Sequence, residues 1–211
     1  MNIISPYKDI RQFTKIKILP HHMNSDIRNH MKLNLKKKVE KKCNKNGFID
    51  EVYKIENYYS GIIPAENLSG SAIYDIIYQC RLCIPVENSI IIGQIRIINQ
   101  ELIIAWNGPI IIFIPKENID KNIWDIQDNF LNAISKVRLK INKFVKIQII
   151  NKKINQNDHQ INSIGKLLDI ATDEEVKQFY GSVIYDNDDE VVNSDEDIKE
   201  KEKEKESNFI I

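Results

Sequence analysis

The chain has 211 residues, a formal net charge of zero and 42% hydrophobic residues, a length that suits two small domains with cores that need no disulfides. No apolar run approaches the roughly 20 residues that a membrane-spanning helix needs. No signal peptide is recognisable at the start, because Lys8, Asp9 and Arg11 interrupt any apolar stretch. We therefore expect a soluble intracellular protein without a membrane segment.

The charge is unevenly distributed along the chain. Residues 1–85 carry 14 Lys or Arg and 8 Asp or Glu, residues 86–180 carry 12 and 11, and residues 181–211 carry 4 and 11. The net charges are thus +6, +1 and −7. A basic first part points to an anionic partner. We predict that residues 181–211 form a mostly disordered acidic tail, because the stretch from Asp186 onward cannot bury enough apolar surface to offset its ordering entropy.

Residues 1–85 predict a helix packed on a small sheet. Phe13–Leu19 and Phe48–Ile55 have strand patterns, and a further strand ends at Pro85. Four apolar residues at four-residue spacing predict an amphipathic helix over residues 25–42: Ile27, Met31, Leu35 and Val39. A loop with Gly61, Pro64 and Gly70 precedes the last strand. The order of elements is that of an α+β domain.

Residues 86–180 predict a five-stranded OB-fold barrel. The five candidate strands are Ile90–Ile98, Glu101–Trp106, Ile110–Ile114, Phe144–Ile150 and Ile161–Leu167. Gly93 inside the first strand predicts a bulge or a tight bend. In the insert 115–142, apolar residues favour a short helix: Ile123, Trp124, Ile126, Phe130 and Leu131. Thr172 and Glu175 favour a capped last helix before Tyr180.

No residue pattern in this chain indicates a catalytic, metal or cofactor site. Cys80-x-x-Cys83 has metal-ligand spacing, but with Cys43 and scattered histidines it does not make a four-ligand set. On a strand, residues three apart point to opposite faces, so we interpret these cysteines as buried hydrophobic residues. The lysine stripe Lys36–Lys38 with Lys41 and Lys42 is either a solvated helix face, which we favour, or a site for phosphate or nuclear import.

The barrel strands carry aromatic and cationic residues of the kind with which OB-folds stack bases and follow phosphates. Alternation sends about half of such residues inward, and the sequence does not determine which half. The RNA-binding candidates are Arg96, Trp106, Phe113, Lys116, Lys146, Lys152 and Lys153, with Phe144 beside them.

Five motifs follow one another over about residues 10–168. They are Ile16–Pro20 before the helix, Cys43 with Gly47-Phe48-Ile49, Gly61-Ile-Ile-Pro64 with Gly70, the strand Tyr78–Pro85, and Gly108-Pro109 with Phe113-Ile114. This order resembles the stalk subunit family of multisubunit RNA polymerases, which includes the seventh subunit of RNA polymerase II and its archaeal equivalent. The family usually has a Gly-aromatic pair where this chain has Leu102-Ile103, so one base-stacking position is absent here.

The resemblance implies a non-catalytic subunit without cofactors, whose tip domain docks on the core RNA polymerase subunits. It also implies a small helical stalk partner and a barrel that contacts nascent single-stranded RNA. We assign Gly47, Phe48, Gly61, Pro64 and Gly70 to docking, because glycines allow close backbone approach. The Ile, Asn and Lys usage resembles subunits of large DNA viruses, which implies host cytoplasm (a viral factory) or the virion; a cellular protein would be nuclear.

Two other functions fit the same residues. A free-standing OB-fold RNA-binding factor in translation or RNA turnover would bind RNA without a polymerase and would use the basic helix. A structural adaptor would bind protein through the barrel and would show neither RNA binding nor a dependence of binding on salt.

Overall fold

The computed structural model describes residues 3–125, 130–132 and 136–181. The chain divides into two compact units, Met1–Ala171 and Thr172–Ile211. Helix α2 (Asp173–Tyr180) belongs to the second unit. It has the predicted capping box, in which Thr172 Oγ1 accepts from Glu175 N at 3.3 Å and Glu175 Oε2 accepts from Thr172 N at 2.8 Å. Apart from Gly181, the predicted acidic tail lies outside the described residues.

The first part of the chain forms an antiparallel four-stranded sheet. Its strands are β1 (Tyr7–Ile18), β2 (Lys42–Asn44), β3 (Gly47–Tyr58) and β4 (Ala72–Cys83), in the order β1-β4-β3-β2. One face packs against helix α1 (Ile27–Val39), whose Met31 and Leu35 are fully buried among residues such as Ile16, Ile76 and Tyr78. The predicted helix on a small sheet is thus present, with β1 and β3 longer than their sequence patterns indicated.

Helix α1 is shorter than the predicted span 25–42. Asp26 is its N-cap residue but makes no side-chain cap hydrogen bond, and Asn24 Oδ1 accepts from Asp26 N at 2.9 Å instead. At the other end Glu40 is extended and Lys41 has a φ of +58°. The helix therefore stops at Val39, and the next residues turn into β2.

The second part of the same unit forms a closed barrel. Its strands are β5 (Ile90–Ile98), β6 (Leu102–Asn107), β7 (Ile110–Pro115), β10 (Phe144–Lys153) and β11 (Ile161–Ile170), in the order β10-β11-β7-β6-β5. β7 and β11 run parallel, and the other neighbours run antiparallel. Five strands in this closed order are consistent with an OB-fold. Alternate residues, such as Ile103, Ala105 and Ile112, fill the interior with no exposed surface.

Of the two features predicted for Gly93, a bulge and a tight bend of a small barrel, the bulge is absent, while β5 does belong to a closed barrel. The pairing of β5 with β10 is continuous through Gly93 and Val145, and the register shift in β5 lies between Ile95 and Ile97. A Cβ at Gly93 would lie 2.9 Å from Ile147 Cδ1 and 3.3 Å from Ala105 Cβ. The glycine is therefore needed because the barrel interior is too crowded for a side chain at this position.

The predicted helix in the insert is wrong for the residues that the structure describes. Trp124 belongs to strand β8 (Trp124–Asp125), which pairs with β9 (Leu131–Asn132). Phe130 has a φ of +55°, which a continuing helix does not allow. Trp124 and Phe130 are only 1% and 3% exposed, so these two of the apolar residues that suggested a helix face are buried. Ile126 lies outside the described residues.

Neither helix in the described part of the chain is long and apolar enough to cross a membrane.

Candidate functional site

The outer face of β6 and β7 carries an exposed apolar and aromatic surface. Because inward and outward residues alternate, Ile104, Trp106 and Phe113 point away from the interior that Ile103 and Ala105 fill. Ile104 lies opposite Phe113, and Phe113 lies in register with Ile164 on β11. Trp106 and Ile164 are 42% and 44% exposed. We call Ile104, Trp106, Phe113 and Ile164 the barrel face.

Arg96 lies at the edge of the barrel face. The register shift between Ile95 and Ile97 leaves Arg96 and Ile97 both exposed on β5. The Arg96 guanidinium carbon is 5.9 Å from the Trp106 ring centroid, within the range of cation–π interactions. Its Nη1 donates to Asn142 Oδ1 at 3.4 Å. A cation beside an exposed aromatic ring suits a nucleic-acid strand, whose phosphate and base could both be contacted.

One row of outward residues crosses three strands next to this pair. Phe144 on β10 lies in register with Gln94 on β5, which lies opposite Trp106 on β6. Phe144 is half-buried. The structure therefore brings together four of the predicted residues, Arg96, Trp106, Phe113 and Phe144, on one side of the barrel.

The four candidate lysines have different surroundings. Lys116 pairs with Glu101 at 3.4 Å, and Lys146 is half-buried in register with Asp169. Lys152 Nζ donates to the main-chain oxygen of Pro85 at 2.8 Å, at the junction between sheet and barrel. Lys153 is exposed near the end of β10. Lys152 therefore holds the connecting segment, and the lysines do not form one patch with the barrel face.

The loop between β3 and β4 exposes apolar side chains at one end of the sheet. Tyr59, Ile62, Ile63 and Leu68 are 54%, 69%, 57% and 103% exposed. The loop is nevertheless ordered by main-chain bonds, since Ile62 and Ile73 exchange hydrogen bonds of 3.0 and 2.9 Å. We call residues 59–71 the tip loop.

Three predicted docking residues shape the tip loop. A side chain at Gly61 would clash with the ring of Tyr74, so this close approach requires glycine. Gly70 has a φ of +63°, in the left-handed region. Pro64 is half-buried, and its carbonyl accepts a hydrogen bond from Asn67 N at 3.0 Å. These residues give the loop its conformation, while its apolar neighbours supply the exposed surface.

Gly47 and Phe48 do not lie with the other predicted docking residues. They begin β3, whereas the tip loop follows its end, about 36 Å away for a 12-residue strand at roughly 3.3 Å per residue. Phe48 is only 5% exposed, and a Cβ at Gly47 would lie 2.7 Å from the main-chain oxygen of Cys83. Both residues are buried where the sheet meets the barrel.

The loop that joins β10 to β11 is bound to β2 through the main chain. Cys43 N donates to Asp158 O at 2.7 Å, and Cys43 O accepts from Asn157 N at 2.9 Å. His159 Nδ1 lies 2.8 Å from Lys41 O. In OB-folds this loop often helps to bind nucleic acid. Here it is partly used to hold the barrel against the sheet.

The cysteines are buried hydrophobic residues, as predicted. Cys43, Cys80 and Cys83 are at most 2% exposed. Burial is the main cause that raises the pKa of Cys43 to about 11, of Cys80 to about 11 and of Cys83 to about 12. Within the described ranges, no group of three His, Cys, Asp or Glu residues could hold a metal ion.

The lysine stripe of α1 is partly engaged. Lys36 pairs with Glu40 at 3.3 Å, and Lys41 pairs with Asp50 at 2.7 Å. Lys38 Nζ donates to Lys15 O at 2.5 Å. Two lysines of the stripe, Lys36 and Lys41, are thus paired with carboxylates.

Sequence reasoning did not single out the exposed residues of the tip loop or Ile164 of the barrel face. Ile62 and Ile63 lie between Gly61 and Pro64, and a glycine and a proline on either side could have indicated a turn with exposed apolar side chains. Ile164 gave no such sign, because isoleucine occurs in every strand of the barrel. Its exposure follows from the register with Phe113.

Comparison with known proteins finds a clear relative. The chain is 38% identical over 185 residues to a protein of Acanthamoeba polyphaga mimivirus that is named a putative DNA-directed RNA polymerase subunit. The similarity covers 87% of this chain and 90% of the relative. No protein-family model matches the chain.

Proposed function

The chain belongs to the family of the mimivirus RNA polymerase subunit, and on this premise we propose that it is the non-catalytic stalk subunit of a DNA-directed RNA polymerase. The observation that carries the proposal is the pair of exposed apolar surfaces in one compact unit, the tip loop on the sheet and the barrel face. A subunit that links a large enzyme to a transcript needs two such surfaces. The name of the mimivirus relative supports a role as an RNA polymerase subunit, and the two exposed surfaces support a position in the stalk.

The tip loop is the proposed docking surface for the core polymerase subunits. Four exposed apolar side chains within ten residues are unusual on a protein surface that stays in water, and such patches mark protein interfaces. Gly61, Pro64 and Gly70 hold the loop in its conformation. Gly47 and Phe48 are buried and cannot contact a partner, so their part in docking is indirect: they pack the end of the sheet where it meets the barrel.

The barrel face is the proposed contact for nascent single-stranded RNA. Strands two and three of an OB-fold are its usual nucleic-acid face, and here they are β6 and β7 with Trp106 and Phe113. Bases would stack on the aromatic rings, and Arg96 would neutralise a phosphate. Binding through so few cations should be weak and should depend on salt.

A small helical stalk partner is part of the proposal, as is assembly in the host cytoplasm or the virion. Ile97 and Ile150 are 45% and 43% exposed on the barrel surface and offer apolar contacts outside the barrel face. These contacts are where we would first look for the partner.

The experiment is an affinity purification of the tagged full-length chain from infected cells, with the bound proteins identified by mass spectrometry. We expect the large polymerase subunits and one small helical protein. The variant Ile62→Asp/Ile63→Asp should lose the large subunits, because it places charges in the apolar docking surface. The matched control Ile141→Asp, at a residue that is 59% exposed in the insert, should retain them.

Two results would contradict the stalk assignment. Retention of the large subunits by the Ile62→Asp/Ile63→Asp variant would remove the tip loop from the interface. Recovery of ribosomal or RNA-decay proteins without polymerase would favour the free-standing RNA-binding factor.

A further inference from the structure

A cavity of about 530 Å³ lies between β1, the carboxyl end of α1 with β2, and the loop between β10 and β11. Its volume is within the roughly 300–1,000 Å³ typical of small-ligand sites. The lining includes four cationic residues and no carboxylate; the cations are Arg11, Lys38, Lys42 and Lys45. This cavity is separate from both the barrel face and the tip loop.

Gln12 lines the cavity with an amide whose orientation is determined by its neighbours. Asn44 Oδ1 accepts from the main-chain nitrogens of Asn46 and Gly47, at 2.8 and 3.0 Å. The Asn44 Nδ2 group therefore points the other way and donates to Gln12 Oε1 at 2.7 Å. Tyr78 also donates to Gln12 Oε1, at 3.0 Å. Because both neighbours are donors, the oxygen of Gln12 must face them.

The Gln12 Nε2 group is consequently a positioned donor without an acceptor. Gln12 is only 9% exposed, and its Nε2 atom is buried with no hydrogen-bond partner among the described residues. An unpaired buried donor destabilises the folded state, because it has lost its hydrogen bonds to water. A ligand that brings an acceptor into the cavity would satisfy it.

The positive charge around the cavity favours a ligand whose acceptor is negatively charged. Lys38 and Lys42 donate to main-chain oxygens of Lys15 and Lys37, at 2.5 and 3.5 Å, and these neutral partners leave their charge uncompensated. The described residues contain no hydrogen-bond or ion-pair partner for Lys45. Arg11 is the exception, since it pairs with Glu56 at 2.9 Å.

We propose that this cavity binds the phosphate group of a nucleotide, either free or as part of an RNA chain. Gln12 Nε2 donates to a phosphate oxygen, and Lys42 and Lys45 supply the opposite charge. The amides of Gln156 and Asn157 line the same space and can pair with the ribose or the base. The site does not depend on docking to a polymerase or on the barrel face.

The test is a titration of the purified full-length chain with three probes: inorganic phosphate, AMP and a fluorescein-labelled oligouridylate. Gln12→Glu keeps oxygens for Asn44 and Tyr78 but replaces the free donor with a negative charge. Lys45→Gln removes one charge at an exposed residue and should not affect folding. Lys17→Gln, an exposed residue of the same strand as Gln12, is the matched control.

We expect AMP to bind the wild-type chain and both cavity variants to weaken it by about tenfold or more, with Lys17→Gln unchanged. If the site binds phosphate only within an RNA chain, oligouridylate should bind and AMP should not. Gln12→Glu and Lys45→Gln should then weaken oligouridylate binding by the same factor, even in a chain that also carries Trp106→Ala. The proposal is overturned if no probe binds the wild-type chain, or if both cavity variants bind the probes as tightly as the wild-type chain does.

Discussion

The guanidinium carbon of Arg96 lies 5.9 Å from the centroid of the Trp106 ring, across the pair of strands β5 and β6. The register shift after Ile95 turns Arg96 outward, and the alternation of β6 turns Trp106 the same way. A cation and an exposed aromatic ring therefore lie together on the side of the barrel proposed for RNA.

Trp106→Ala should weaken the binding of an oligouridylate by about 1–3 kcal/mol, because one base loses its stacking surface. Fluorescence anisotropy at low salt measures this affinity. Trp106 is 42% exposed, so the midpoint of thermal unfolding should change little. Ile150→Ala, at an equally exposed residue, serves as the control. Equal affinity of the two variants would remove Trp106 from the RNA site.

Gly47→Ala should destabilise the fold by about 1–3 kcal/mol. Gly47 has a φ of +148°, and an added Cβ would lie 2.7 Å from the main-chain oxygen of Cys83. The comparison is Gly70→Ala, where φ is +63° but the nearest atom, Pro20 Cγ, is 3.3 Å away. This second change should cost only about 1 kcal/mol. Urea unfolding gives both values, and the reverse ranking would contradict the packing described at Gly47.

The stability of the protein should fall as the pH drops below about 6.5, in part through His22. Burial, followed by the nearby His21, His30 and Lys37, lowers the pKa of His22 from its ordinary value. The folded state therefore binds the proton less readily than the unfolded state does. Stability from this residue is complete above the unfolded pKa and is lost as pH falls toward the folded pKa.

The measurement is urea unfolding of the wild-type chain and of His22→Gln between pH 5 and 8. The variant should show a smaller loss of stability toward pH 5. Identical pH profiles would mean that His22 does not contribute.

The three cysteines should not react with Ellman's reagent in the folded protein at pH 8. At a pKa of about 11, roughly one Cys43 thiol in a thousand is ionised at that pH, and the thiolate is the reactive form. All three side chains are also buried. In 8 M urea the reagent should modify three thiols per chain. Rapid reaction of any cysteine without denaturant would show that its surroundings open in solution.

Much of the fold could be predicted because the strands have strong local patterns. Alternating residues such as Ile103 and Ala105, between exposed or half-buried neighbours, identify a strand without knowledge of its partners. The spacing of Met31 and Leu35 likewise identifies the buried face of α1. Local periodicity was sufficient in both cases.

The errors occurred where distant contacts decide the conformation. The apolar residues of the insert suit a helix, but the left-handed backbone at Phe130 and the pairing of Trp124 with Asn132 make a hairpin. The sequence also could not show that Lys152 contacts Pro85 O, because 67 residues separate them. The position of Gly47 and Phe48 at the opposite end of β3 from the tip loop follows from the strand length, which the pattern underestimated.

The bonds between Cys43 and the loop at residues 157–158 also affect how the chain can be divided. A truncation at Pro85 would leave the main-chain nitrogen and oxygen of Cys43 without their partners, and it would leave Lys152 Nζ without its acceptor. We therefore expect neither half to be stable alone, and biochemical work on this protein should use both halves on one polypeptide.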